Sequence, residues 1–533
     1  MQPGSTGSLY AGRQSQPLVH APLEGRRRLF AARFPFKRKN DMSLVGIDVG
    51  SSSVKVAACA EDGTLIGSAS HNLTPLHPAP GLWETDPEDI WQATCRGMRE
   101  LAAQDAVQHD PPQAIAVSAS GRENFPADAL GNPLGNGIMG ADVRGAEFEV
   151  PPPGSPIPED WCLSCGHLRE RMDPVFRLEW WRKYQPEIIA NTTYFFGWID
   201  FLTFRMCGRA VMDQSTVSRY LAYDLERLAW APERVAEYHL TPNLLPEVLP
   251  WGALIGELKP EVAADWGLPA GVQVAQGCHD LNCAAYGAGV YEIGTACLVS
   301  GSYENILIPT DRLPTASMLL GGLSVMPQPC EAGRSVIAVH PTGNAVLNWA
   351  RDLTGVSIET VEQELQLREA RPAPVLAVPY LSGSMTYWEN GRKARGGLIG
   401  LTLATSQTDI VQAFMESIAY DTVNTLSLMR AQGIHVDRIR ITGGGARSTW
   451  WTQLKADLTN LPVEVVAHPE PGTLGAALLA GLAIGTYNDL EGISKKYSGT
   501  QAVYTPNPER AARHQERLET YRKLMGLLLA EIY

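Results

Sequence analysis

At 533 residues the chain is too long for a single hydrophobic core and suits two large domains. Apolar residues at 44% and charged residues at 19% exclude wholesale disorder, and no apolar run reaches the ~20 residues of a membrane helix. The net charge of −13 is uneven: residues 1–41 hold eight basic and two acidic residues, which leaves the rest of the chain at −19. So acidic a body argues against nucleic acid as a partner, because affinity there comes from neutralising phosphates. Nine cysteines are too few for a disulfide scaffold and point to a reducing compartment, with a cytoplasmic location expected. The basic head, residues 1–42, is expected to be a disordered extension. It reads as an RNA-binding arm, a transit peptide or the product of an upstream start, with Met42 opening the folded unit.

In chain order, Leu44-Val45-Gly46-Ile47 is a short strand ending at Asp48, and a Gly50-Ser51-Ser52-Ser53 turn leads into a second strand over 54–60. Asp62-Gly63 is a hairpin turn signal before a third strand over 65–69. Asp86-Pro87-Glu88-Asp89 starts a helix, with Asp as N-cap and Pro at the first helical position; Ile90, Trp91, Thr94, Met98 and Leu101 give its inward face. Residues 114–118 form another strand, so the pattern is α/β. The Pro-rich stretch 151–158 reads as a surface loop. The second half opens alike: strand 296–299, a Ser300-Gly301-Ser302 turn and strand 303–308. A long helix over 408–430 and a strand over 438–442 then run into Gly443-Gly444-Gly445. Two halves that each open with a hairpin around a small-residue turn predict a duplicated architecture, hinged near residues 287–294.

Residues 48–53 make a phosphate cradle or a plain hairpin. Glycine lets the backbone approach an anion, turn amides and hydroxyls donate to it, and Asp48 could hold Mg²⁺ while Lys55 neutralises charge. A Walker loop is absent, since no Gly-Lys dipeptide occurs. Residues 443–448 follow a strand and open a helix near Thr449, the geometry for a nucleotide over a helix N-terminus or for a tight strand–helix turn. Asp280, at a strand end before a small-residue helix, could act as a general base; His279 beside it is left aside as packed or solvated. Arg122-Glu123 with Asp142 and Arg144 suit recognition of several hydroxyls, or form a surface ion-pair set. Cys162-x-x-Cys165 with His167 has the start of a zinc site but no second ligand pair of matching spacing.

These pieces fall in a known order. GIDVGSSSVK (46–55), GLWETDPEDIW (81–91), ADVRG (141–145), GCHDLNCAAYGAG (277–289), YWENGRKARGGLIGL (387–401), GGGARSTWWTQLKAD (443–457) and GTLGAALLAG (472–481) together make residues 44–487 resemble the FGGY carbohydrate kinases. The resemblance implies a two-domain actin/hexokinase/ribonuclease H-like ATPase fold with a deep interdomain cleft. Its expected parts are a sugar-binding domain over 43–290, an ATP-binding domain over 291–490 and a C-terminal helical segment over 491–533. It implies ATP and Mg²⁺ as cofactors and Asp280 as the base. Asp48 would serve the metal; Gly50, Ser51, Ser52, Ser53, Lys55, Gly301 and Ser302 would serve the phosphates. Gly443, Gly444, Gly445 and Ser448 would face adenosine, and Arg122, Glu123, Asp142, Arg144 and Asp280 itself the substrate.

Three departures bear on the substrate. Gly121-Arg122-Glu123 replaces the usual Gly-Gln-Gly and resembles the Arg-Glu pair of glycerol kinases, Gly140-Ala141 replaces the usual Trp before the substrate Asp, and Gly301-Ser302-Tyr303 replaces Gly-Thr-Ser. A pentulose such as xylulose or a small alditol is expected as substrate, with no membrane partner and pairing into a homodimer left open. The alternative is a non-catalytic, nucleotide-dependent switch on the same fold. A chain starting at Met42 is expected to fold and keep full kinase activity, since no phosphate or substrate motif precedes Leu44; an insoluble or inactive truncation would give the basic head a structural role.

Overall fold

Period-two apolar patterning between Ser43 and Asn72 folds as expected into an antiparallel meander: β1 (Ser43–Val49), β2 (Ser53–Ala60) and β3 (Leu65–Asn72). The computed structural model describes residues 43–149, 160–368, 371–388, 391–497 and 499–532, so the basic head and the Pro-rich stretch 151–158 lie outside the described residues. Helix α1 (Pro87–Ala102) begins where its sequence says: the Asp86 side chain accepts from the Glu88 amide, and Ile90, Thr94, Met98 and Leu101 are buried. β4 (Pro112–Ala119), β5 (Leu254–Glu257) and β6 (Gln273–His279) complete a six-stranded sheet in the order β5-β6-β4-β1-β2-β3. Within it β1, β4 and β6 run parallel.

Helix α2 (Asp280–Gly287) leaves β6 directly, and β7 (Gly294–Ser300), β8 (Glu304–Pro309), β9 (Leu323–Pro327) and β10 (Arg334–His340) start a second sheet. The long helix α3 (Gln407–Ala431), β11 (Val436–Thr442), α4 (Thr449–Thr459), β12 (Val463–Val466), α5 (Pro471–Ala483), β13 (Thr500–Tyr504) and α6 (Pro508–Glu531) follow. The second sheet runs β9-β10-β8-β7-β11-β12-β13. Each sheet thus opens with a hairpin around a Gly/Ser turn whose first strand pairs in parallel with a later one, the duplication that the two turns predicted; in the second sheet β10 lies between β8 and β9. One expectation needs correction: the segment after 490 is not helical throughout. Thr500 to Tyr504 is rich in β-branched and aromatic residues and pairs antiparallel with β12.

Helices α2 and α5 pack against each other and against the first sheet. The α5 sequence PGTLGAALLAG is apolar on every side, and all of it is buried. Small residues let the two backbones approach closely: a Cβ added at Gly475 would collide with the Cys283 carbonyl, and one at Gly287 with the Pro471 carbonyl. Overpacking there has nowhere to relax, because backbone meets backbone. Gly475→Ala is therefore expected to cost about 1–3 kcal/mol of stability, read from the midpoint of urea unfolding; an unchanged midpoint would mean that this contact is slack.

Candidate active site

Parallel strands end at one edge of a sheet, and the loops beyond their carboxyl ends gather functional groups there. In the first sheet the register sets Asp48 of β1 opposite Ser118 of β4, and His279 of β6 opposite Ala119. Ser118 Oγ donates to Asp48 Oδ1 at 2.6 Å. Burial pushes the Asp48 carboxyl up to about 6; the Ser118 hydrogen bond opposes this, and the negative charge of Asp280 adds to it. Asp280, the first residue of α2, has its Oδ1 at 2.9 Å from His279 Nδ1 and accepts from the Leu281 amide at 2.6 Å. Burial alone would raise its pKa, but His279, the Leu281 amide and the Arg219 charge outweigh it and hold the group below the usual carboxylate range. With 36% of its side-chain surface exposed, this ionised carboxylate remains open to an incoming hydroxyl.

The turn after β1 closes by a 2.9 Å bond from the Gly50 amide to the Ser53 carbonyl and leaves Gly50, Ser51 and Ser52 exposed. Lys55 pairs with Glu470 at 2.7 Å, at the start of α5. Asp48 fits a Mg²⁺ ligand. A Cβ at Gly472 would stand 3.2 Å from its Cγ, so glycine keeps room around the carboxylate, and among the described residues no group of three or more His, Cys, Asp or Glu could hold a metal. Mg²⁺ suits such a place because it takes one or two carboxylates and fills its shell with water and phosphate oxygens. The zinc reading fails on the same finding: Cys165 Sγ donates to the carbonyls of Cys162 and His167, and both His167 ring nitrogens face carbonyls, of Leu168 and Ser218.

Besides Asp280, the other four expected substrate residues separate into two groups. Arg122 pairs with Glu170 and, at 3.3 Å, with Asp173; Glu170 is shared with Arg392 at 3.1 Å. Glu123 is buried with no partner for Oε2, and burial together with the Asp280 charge raises its pKa. This pair adjoins the base. Asp142 and Arg144 instead close on each other. The Asp142 oxygens accept from Arg144 Nε at 2.9 Å, from Arg144 Nη2 at 2.6 Å and from the Trp83 amide at 2.6 Å, and Arg144 reaches Glu84 at 2.7 Å. Asp142 is fully buried in this set. Sequence reasoning passed over two neighbours of the base, His279 and Arg219. Arg219 follows an Asp-capped run of small polar residues inside apolar flanks, and that setting was the one sign of its burial.

On the second sheet β7 and β11 are parallel, so the turn after Ser300 and the loop after Thr442 come side by side. Gly443 has φ +88°, and a Cβ there would stand 2.6 Å from the Ser300 carbonyl oxygen, which makes glycine obligatory. Beneath the turn Lys455 Nζ meets Glu304 Oε2 at 2.6 Å, both fully buried; Glu304 also accepts from Ser300 Oγ at 3.0 Å and from Thr422 Oγ1 at 2.7 Å. Gly301 is half-buried, and Ser302, Gly443 and Gly444 are exposed. The start of α4 is not free for an anion. Ser448 caps it, and Glu362 Oε1 accepts from Ser448 Oγ, Thr449 Oγ1 and the Trp450 amide at 2.9–3.1 Å. A carboxylate already fills the amide end that the sequence offered to a nucleotide.

Known proteins share this fold. The N-terminal domain of the FGGY family of carbohydrate kinases matches residues 43–287 and its C-terminal domain residues 291–484. The chain is 30% identical over 494 residues to a xylulose kinase of Escherichia coli, covering 91% of this chain and 99% of the relative. It is 28% identical to a glycerol kinase of Symbiobacterium thermophilum, covering 89% and 96%. A ligand-bound xylulose kinase structure from Lactobacillus acidophilus superposes with a TM-score of 0.83 at 22% identity, covering 92% of this chain and 99% of that one. The α/β fold is therefore the two-domain actin/hexokinase-like one. With both of its halves matched, the chain belongs to the FGGY family of carbohydrate kinases, phosphotransferases that act on a hydroxyl group of a sugar or polyol.

Proposed function

We propose that this kinase transfers the γ-phosphate of ATP to a hydroxyl of a pentulose such as xylulose, or of a small alditol, with Asp280 as general base. The observation that carries the reading is Asp280 itself, an ionised carboxylate at a strand end that is still open to a ligand. The substrate's attacking hydroxyl hydrogen-bonds to Asp280, which takes its proton as the oxygen closes on the γ-phosphorus in line. A carboxylate below the ordinary range is a weak base. That suffices here, because in a loose phosphoryl-transfer transition state the proton leaves late, after bonding to phosphorus has acidified it. Arg122 and Glu123 orient the neighbouring oxygens, and Asp142 with Arg144 holds the 139–146 segment from behind.

The 50–53 turn and the Gly301-Ser302 turn donate amides and hydroxyls to the phosphates, and Lys55 leaves Glu470 to join them. Asp48 would hold the Mg²⁺ that neutralises phosphate charge. The 443–445 backbone faces the nucleoside, while Ser448 acts as the cap that shapes this loop. Most of the rate enhancement then comes from positioning and charge stabilisation.

Two expectations follow from these roles. Asp280→Asn keeps the side chain's size and can still orient a hydroxyl but cannot accept its proton, so kcat should fall at least ~10²-fold with ATP and substrate binding within a few-fold of wild type. Near-normal turnover with binding intact would move the base to another carboxylate. The second concerns pH. Asp48 titrates near 6 in the fold against an ordinary 3.8. Between those values the native state holds a proton that the unfolded chain has released, so this group makes the ligand-free protein less stable as pH rises through about 4 to 6. Asp48→Asn should remove that loss and raise the unfolding free energy at pH 7, relative to wild type, by on the order of 1 kcal/mol more than at pH 4. Identical pH profiles for the two proteins would show that Asp48 is not protonated there.

A further inference from the structure

Arg219 sits in the turn Ser218–Tyr220 with 4% of its surface exposed. Its Nη2 meets the thioether of Met326 at 3.4 Å, and its buried Nε–H has no acceptor. Among the described residues no carboxylate comes within ion-pair distance of it, although Asp280, Glu170, Asp173 and Arg122 all act on it electrostatically. A buried guanidinium with unmet donors is costly, so folds rarely keep one without an acceptor. Glu123 is the converse case beside the same base: 8% exposed, with an Oε2 that accepts nothing. One side chain lacks an acceptor and the other lacks a donor.

We propose that Arg219 is a substrate-binding residue. It donates to a hydroxyl or keto oxygen next to the hydroxyl that is phosphorylated, while Glu123 accepts from a hydroxyl of the same molecule. A chain of neighbouring hydroxyls meets both needs at once, because each hydroxyl donates and accepts. The ligand is uncharged: the carboxylate of a sugar acid would enter a site where Asp280 already acts on both Asp48 and Glu123. This assignment rests on the kinase reading above and adds to it a specificity residue and a substrate class, neutral polyols or ketoses rather than sugar acids.

The test uses the full chain, wild type against Arg219→Met and Arg219→Lys, with D-xylulose, erythritol, glycerol and gluconate as probes of ADP release and of thermal unfolding. The wild type is expected to turn over at least one neutral probe and to reject gluconate. In Arg219→Met the KM for that neutral probe should rise about 10- to 100-fold, the range for losing a hydrogen bond to a charged group. The KM for ATP should be unchanged, and Arg219→Lys should recover part of the loss. Without substrate, Arg219→Met should unfold at the same temperature as wild type or higher, because an uncompensated buried charge has gone. An unchanged KM in Arg219→Met would make the residue structural, and a preference for gluconate would overturn the neutral class. If the wild type releases ADP with none of the probes, the proposed pentulose or small-alditol substrate fails, and Arg219 is then judged by binding alone. A probe-induced rise in unfolding temperature that is present in wild type and lost in Arg219→Met supports the assignment; equal shifts, or none in either protein, overturn it.

Discussion

The close approach of α2 and α5 is the constraint on which the site depends. Two helices whose backbones meet at Gly287 and Gly475 cannot be moved apart or rotated without filling or emptying that contact. Asp280 opens one of these helices, and Gly472, against which Asp48 is seated, opens the other. The positive end of each helix dipole therefore lies near a carboxylate, and both carboxylates stand at the sheet edge, Asp48 on β1 opposite Ser118 and Asp280 one residue beyond β6. Geometry at the reacting atoms is thus inherited from packing well below them.

Once the acids are close together their charges cannot all be equal partners. Asp280 repels both Asp48 and Glu123, and burial raises all three. Only Asp280 collects enough compensation, from His279, the Leu281 amide and Arg219, to stay ionised at low pH. Splitting neighbouring carboxyls in this way is how one site assigns different tasks to chemically identical groups. The group held ionised is fitted to receive a proton, and the one pushed up to about 6 gains most from a divalent cation.

Local signals were legible in the sequence and distant pairings were not. The Asp86 cap, the two Gly/Ser turns and the helix start after Ser448 depend on residues a few positions apart, and each stands where its pattern put it. Asp142 and Arg144 read as open recognition groups because nothing near them in sequence announces Glu84 or the Trp83 amide, about 60 residues upstream. Glu362 at the α4 amide end is equally remote, 86 residues before Ser448, and it overrules a local pattern that favoured an anion. His279 was passed over because most histidines in such places are packing residues; only the β6 register turns its ring onto Asp280. Arg219 has no motif at all, and its meaning lies in what its guanidinium fails to touch.

The Lys455–Glu304 pair beneath the second phosphate turn carries a consequence for how such chains diverge. Each partner is fully buried, and Glu304 also anchors Ser300 and Thr422. Loss of either charge strands the other in a low-dielectric interior, a change of ~3–5 kcal/mol that most proteins cannot absorb, whereas replacing both with well-packed apolar residues is far milder. The two positions are therefore epistatic. Descendants of this chain can exchange the pair only through a disfavoured intermediate or a double substitution, so positions 304 and 455, 151 residues apart, are bound to change together or not at all.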